Sequence, residues 1–136
     1  MRLPPLLRCW PLAVAMALPA WAAPDTTPQK LLAAYTAQAG APASPERGEK
    51  MFNTNFGRDL GLSCASCHGA APQKAGKHAL TDKQIAPLAP AANPARFTDR
   101  TAVELNFRMN CKDVLGRECT AAEKADVLSW LLTIKP

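Results

Sequence analysis

Cys64-Ala65-Ser66-Cys67-His68 is the stretch that decides the fold. Two thiols separated by two residues, with a histidine directly after the second, match the two vinyl groups of one porphyrin and place an imidazole beneath its iron. Thioether bonds at Cys64 and Cys67 would hold the haem, and His68 would ligate the metal. Other chemistries of a Cys-x-x-Cys pair fit less well. A thioredoxin-type dithiol needs a βαβ context, and the flanking sequence carries no strand signal. A zinc site needs four suitably spaced ligands, and Cys111 and Cys119 are too far along the chain to be obvious partners. A disulfide within the motif would close a small strained loop and leave His68 without a purpose. The motif occurs once, so one covalent haem c is expected. Gly61 and Gly69 flank it, and glycine lets the backbone come close to a porphyrin.

A c-type attachment site belongs in an exported protein, and the beginning of the chain agrees. Residues 1–22 open with Arg2 and Arg8, run through apolar residues from Leu12 to Leu18 and end on Ala20-Trp21-Ala22, the order of a secretory signal cleaved after Ala22. A membrane anchor is the competing reading. The apolar run is well short of the ~20 residues a bilayer demands and is broken by Pro11 and Pro19. Cys9 precedes the run and leaves with the leader. Of the 136 residues, 23–136 then form one small domain, and the periplasm is the expected location. Cys64, Cys67, Cys111 and Cys119 remain, an even number in an oxidising compartment. The formal charge of +5 falls by two with the leader, and two haem propionates would bring it near neutrality. No basic run or stripe stands out, so nothing points to nucleic acid.

Helix signals bracket the motif on both sides. Thr27-Pro28 caps and opens a helix through Leu31, Leu32 and Tyr35 to Gly40, and Ser44-Pro45 opens a second towards Phe56. Residues 57–100 show no sustained period and read as long loops. Such a stretch is unusual in a small domain unless a large apolar cofactor supplies the core it wraps. Thr101-Ala102-Val103-Glu104 reads as a capping box that opens a short helix to about Asn110. Thr120-Ala121-Ala122-Glu123 opens the last helix, where Ala125, Val127, Leu128, Leu131, Leu132 and Ile134 make a broad apolar face extended by Trp130. The expected fold is all-α, a small helical domain wrapped around one covalent haem.

What occupies the far side of the iron separates an electron carrier from a gas-binding haem. Downstream of the leader the methionines are Met51 and Met109. Met51 fits a core position on the second helix. Met109 and Asn110 are neighbours on a helix and project about 100° apart, so only one can face the iron. Met109 shares a face with Leu105 and fits the core beside it, whereas Asn110 lines up with Asn106 and Phe107. His78, among Lys74, Gly76 and Lys77, reads as a solvated loop residue.

Three segments then carry a resemblance: Cys64 to Gly69; Ile85-Ala86-Pro87-Leu88-Ala89-Pro90 with Asn93 to Asp99; and Asn110-Cys111 with Val114-Leu115-Gly116-Arg117-Glu118-Cys119-Thr120. From about Asp25 to Pro136 the chain resembles the sphaeroides haem protein (SHP) family of class I-like cytochromes c. The resemblance implies that Asn110 ligates ferric iron through its amide oxygen and leaves on reduction, and that Cys111 and Cys119 form a disulfide. It also implies a dihaem cytochrome c and a membrane cytochrome b as electron donors. Ligand chemistry agrees, since a hard amide oxygen suits Fe(III) better than Fe(II), whereas a thioether favours the reduced metal. An asparagine-ligated haem would open a position for O₂ or NO on reduction. A methionine-ligated one would stay closed and serve as a simple electron-transfer cytochrome, which is the alternative reading. Oxygen or NO chemistry at the open haem would need a reductant, and no distal acid or base can be assigned. The bridge would close a loop of about nine residues and contribute roughly 2–3 kcal/mol. The remaining expectation concerns the second nitrogen of His68, which should donate to a carbonyl between Ile85 and Pro94, with Pro87 or Pro90 nearest.

Overall fold

The structure is a computed structural model, and it describes residues 23–57 and 60–136. The leader reading of residues 1–22 lies outside the described residues. Seven short elements follow in order: α1 (Pro28–Ala39), α2 (Pro45–Asn53), α3 (Cys64–His68), β1 (Gly76–Lys77), β2 (Gln84–Ile85), α4 (Arg100–Leu115) and α5 (Ala121–Leu131). The domain is mostly helical.

The helices begin where local chemistry allows. The Thr27 hydroxyl accepts from the Lys30 N–H and that of Ser44 from the Arg47 N–H, each at 3.2 Å, and a proline follows each cap. Gly40 closes α1 at φ 66°. Thr54 stops α2 at Asn53, three residues before Phe56: the Thr54 backbone is extended and its hydroxyl donates back to the Lys50 carbonyl at 2.6 Å. Such back-bonding competes with the helical ladder.

The interior is organised by α5. Ala125 to Leu131 are all buried, so the helix is enclosed on every side rather than on one face. Both α1 and α2 pack against it, the first through Leu31 and Tyr35 and the second through Phe52, whose ring lies 4.9 Å from that of Trp130. The α2/α5 crossing is close enough for backbones to touch, because a methyl at Gly48 would run into the Asp126 carbonyl. Beside that contact the buried Asp126 carboxylate takes Nε and an NH2 of Arg47 at 2.7 and 2.8 Å and the Ser44 N–H at 2.7 Å. A two-pronged guanidinium and a backbone donor satisfy a charge that would otherwise be costly to enclose.

Two expectations about the downstream half are corrected. The helix read as starting at a Thr101–Glu104 box starts at Asp99, which accepts from the Ala102 N–H at 2.9 Å. Aspartate caps more strongly than threonine, and the cap falls two residues earlier. The same helix runs past Asn110 to Leu115, where Gly116 ends it at φ 72°. Cys111 and Val114 continue the buried stripe begun at Val103, which prolongs the helix. The segment read as pure loop contains the single turn α3 and a two-stranded antiparallel ladder pairing Gly76 with Ile85 and Lys77 with Gln84. A ladder of two residues per strand is too short to leave a period in the sequence.

Glu104, freed from the cap, ties three helices together. It accepts from the Tyr35 hydroxyl of α1 and from the Lys124 ammonium of α5, each at 2.6 Å, and that ammonium also lies over the Tyr35 and Phe107 rings. Burial pulls the Glu104 carboxyl upward, but hydrogen bonds from Lys124 and Tyr35 outweigh it and leave the pKa below the usual value. A depressed native pKa means the contribution is complete above the unfolded value of about 4.3 and is lost as pH falls through the native one. Glu104→Gln should therefore cost about 1 kcal/mol at neutral pH, and the deficit should shrink as pH falls below the unfolded value and vanish once it is below the depressed native one. Urea unfolding of both proteins over a pH series checks this.

Candidate functional site

The attachment motif is itself a capped helical turn. The Ser63 hydroxyl accepts from the Ser66 N–H at 3.2 Å, while the Ser66 hydroxyl accepts from the Ser63 N–H at 2.9 Å. One turn puts residues three and four apart on one side, so Cys64, Cys67 and His68 are grouped together. The serine pair was visible in the sequence as Ser-x-x-Ser, yet a reading fixed on the cysteines and histidine passes over it.

Both thiols are free and partly buried. Cys64 packs against the core, and burial pushes its thiol up to about 11. The Cys67 sulfur accepts a long contact from the Ala79 N–H at 3.4 Å. Behind α3 the β1–β2 hairpin comes into backbone contact, since a methyl at Gly76 would strike the Cys67 carbonyl and the His68 backbone. Within the chain itself, close backbone contact is thus demanded at Gly76, which the sequence reading did not single out.

The His68 ring sits 6.3 Å from that of Phe52. Burial, with a smaller contribution from the Arg96 charge, lowers its pKa to about 4. The ring is therefore neutral at ordinary pH, which is the form that ligates metals. Its Nδ1 is buried and has no hydrogen-bond partner. The expectation of a carbonyl donated by the Pro-rich segment is corrected here. The Pro87 carbonyl accepts from the Asn93 amide at 3.2 Å and from Nε of Arg96 at 3.0 Å, and Arg96 also takes the Ala86 carbonyl at 2.7 Å. Two donors occupy both lone pairs of Pro87, and these contacts depend on tertiary folding that spacing does not reveal.

Asn110 and Met109 lie on α4, away from the motif in sequence and exposed, and the Asn110 side chain makes no hydrogen bond among the described residues. The core position expected for Met109 is not observed: Met109 and Leu105 are 48% and 47% exposed, because the buried stripe of α4 runs through Val103, Cys111 and Val114 instead. Cys111, next to Asn110, is joined to Cys119 by a disulfide with Cα atoms 5.6 Å apart. His78 uses its Nδ1 locally to accept from the Leu80 N–H at 3.3 Å.

Paired free thiols and a partly buried imidazole whose Nδ1 has no partner, all on one capped turn, fit a covalently held haem. Together with a mostly helical domain, they define the class as c-type cytochromes. A family model described as "Domain of unknown function (DUF1924)" matches residues 38–131. Cytochrome c-type protein SHP of Cereibacter sphaeroides is 49% identical over 88% of this chain and 93% of its own. The structure of oxidised SHP, an oxygen-binding cytochrome c, has a TM-score of 0.74 at 50% identity and covers 81% of this chain and 99% of that one. Oxidised cytochrome c'' of Methylophilus methylotrophus has a TM-score of 0.73 at 38% identity over 80% of this chain and 95% of its own. The chain belongs to the SHP family of c-type cytochromes, and its cofactor is covalently bound haem c.

Because Gly76 holds the hairpin against the attachment turn, Gly76→Ala should cost about 1–3 kcal/mol, as overpacking does. Denaturant unfolding of the haem-loaded variant, followed by far-UV circular dichroism, measures that loss.

Proposed function

We propose that the chain is a periplasmic monohaem cytochrome whose haem is attached to Cys64 and Cys67, with His68 as one axial ligand and Asn110 as the other in the ferric state. On reduction Asn110 leaves, and O₂ or NO takes the position. A dihaem cytochrome c and a membrane cytochrome b are the electron donors. Bound at this site, haem supplies an iron that changes oxidation state and exchanges its sixth ligand. The chain's own residues do the rest. His68 is carried on the capped attachment turn beside Phe52, and it stays on the metal in both states. Asn110 lies within a regular helix rather than at its end, so its amide can move by changing rotamer while the backbone stays in place.

The observation that carries this reading is the Cys111–Cys119 bridge directly after Asn110. It ties the ligand-bearing turn of α4 to the residue before the Thr120 cap of α5, the most enclosed helix. Two relatives point the same way. SHP is an oxygen-binding cytochrome c, and the solution structure of Methylophilus methylotrophus cytochrome c'', at 40% identity and a TM-score of 0.69, addresses haem-ligand detachment. A disulfide also suits an oxidising compartment, and no helix among the described residues is long and apolar enough to cross a membrane.

Asn110→Ala should leave the ferric haem five-coordinate or water-ligated, raise the reduction potential and hardly alter the ferrous spectrum. Met109→Leu should leave the ferric spectrum unchanged. If Met109→Leu abolishes the low-spin ferric spectrum and Asn110→Ala does not, the protein is a methionine-ligated electron carrier. Haem staining of denaturing gels checks the attachment separately, and it should vanish in Cys64→Ala combined with Cys67→Ala.

A further inference from the structure

The β1–β2 hairpin has a chemistry that neither haem attachment nor ligand exchange uses. It packs on α3 through Gly76, and its Ala79 N–H meets the sulfur of Cys67, so it borders the attachment site directly. Between residues 74 and 83 it carries Lys74, Lys77 and Lys83 against a single acid, Asp82, and all four are exposed. The one ion pair, Lys77 with Asp82 at 2.7 Å, has both side chains largely in solvent and neutralises little. Lys74 and Lys83 make no ion pair among the described residues. Leu80 projects from the same hairpin and is 64% exposed, more than the other large hydrophobic side chains described as exposed. An apolar spot rimmed by charges of one sign is the anatomy of a transient protein interface, and its sign selects the partner.

We propose that this hairpin is the docking surface for the electron donor, and that the donor is an acidic redox protein whose carboxylates meet Lys74, Lys77 and Lys83 while an apolar patch covers Leu80. One electron then leaves the donor and enters the haem beside Cys67. The inference rests on the reading that the haem is held at Cys64 and Cys67, but not on the identity of the sixth ligand. Steering by three lysines makes the encounter fast at low salt and slower as salt screens it.

The test uses the haem-loaded ferric protein and two reductants, a fully reduced acidic flavodoxin and the neutral flavin lumiflavin in its photoreduced form. Lys74→Glu with Lys77→Glu and Lys83→Glu should slow reduction by flavodoxin on the order of tenfold at low ionic strength and remove or invert its salt dependence. Leu80→Ser should slow it severalfold without changing the salt dependence. Lumiflavin should reduce all three proteins at one rate, which separates docking from a folding or haem-loading defect. If the triple variant keeps the wild-type rate and salt dependence with flavodoxin, the proposal is overturned. It is equally overturned if Arg108→Glu with Lys112→Glu on α4 reproduces the loss and the hairpin variant does not. A protein that carries no covalent haem would instead sink the attachment reading.

Discussion

An imidazole enclosed beside Phe52, with Nδ1 removed from water and given no partner, is the constraint around which the molecule is arranged. Burying an unpaired polar atom costs on the order of 1–3 kcal/mol, and the expense is tolerated where the group has another task. Everything near His68 serves to keep it there. The Ser63–Ser66 box fixes the turn that carries it, Gly76 lets the hairpin close behind it, and the Phe52–Trp130 contact anchors that side of the core on α5. On the proposed function, an imidazole carried on so fixed a turn would stay on the metal in both oxidation states. On the same proposal, the response to reduction would come from Asn110 on α4.

The helix that carries Asn110 is held differently. α4 meets the rest of the domain through its buried stripe of Val103, Cys111 and Val114, through Phe107 against Tyr35, through Glu104 between Tyr35 and Lys124, and through the bridge from Cys111. Its remaining faces carry exposed Leu105, Met109 and Asn110. On the proposed function, the attachment turn would carry the permanent ligand and α4 the exchangeable one. The tethers also limit the rearrangement a released side chain requires. Rotation about its own bonds is a small motion, whereas unwinding a helix disulfide-bonded at the next residue would not be.

Most of what is local was legible in the sequence. The thiol spacing and following histidine mark the attachment turn, and Thr27-Pro28, Ser44-Pro45 and the Thr120–Glu123 box start helices because a cap needs only its own neighbours. What stayed hidden is non-local. Glu104 was readable as a capping residue until Tyr35 and Lys124 were seen to meet it, and no pattern announces that Gly48 and Gly76 are points of backbone contact. Asp126 looks like a surface residue in an apolar helix, yet Arg47 and Ser44 make it part of the interior. Asn110 is the hardest case, since helical spacing sets Met109 beside Leu105 in a core position that the structure does not show. Its assignment came from resemblance to a family and from the chemistry of a hard ligand for a hard ion.

Crystal structures of the haem-loaded protein in both oxidation states test the central claim most directly. The account predicts the Asn110 amide oxygen within bonding distance of ferric iron and turned away from ferrous iron, with His68 bound and α4 in place in both. A sulfur from Met109 on the iron in both states, or Asn110 remote from it in the ferric form, would contradict the account.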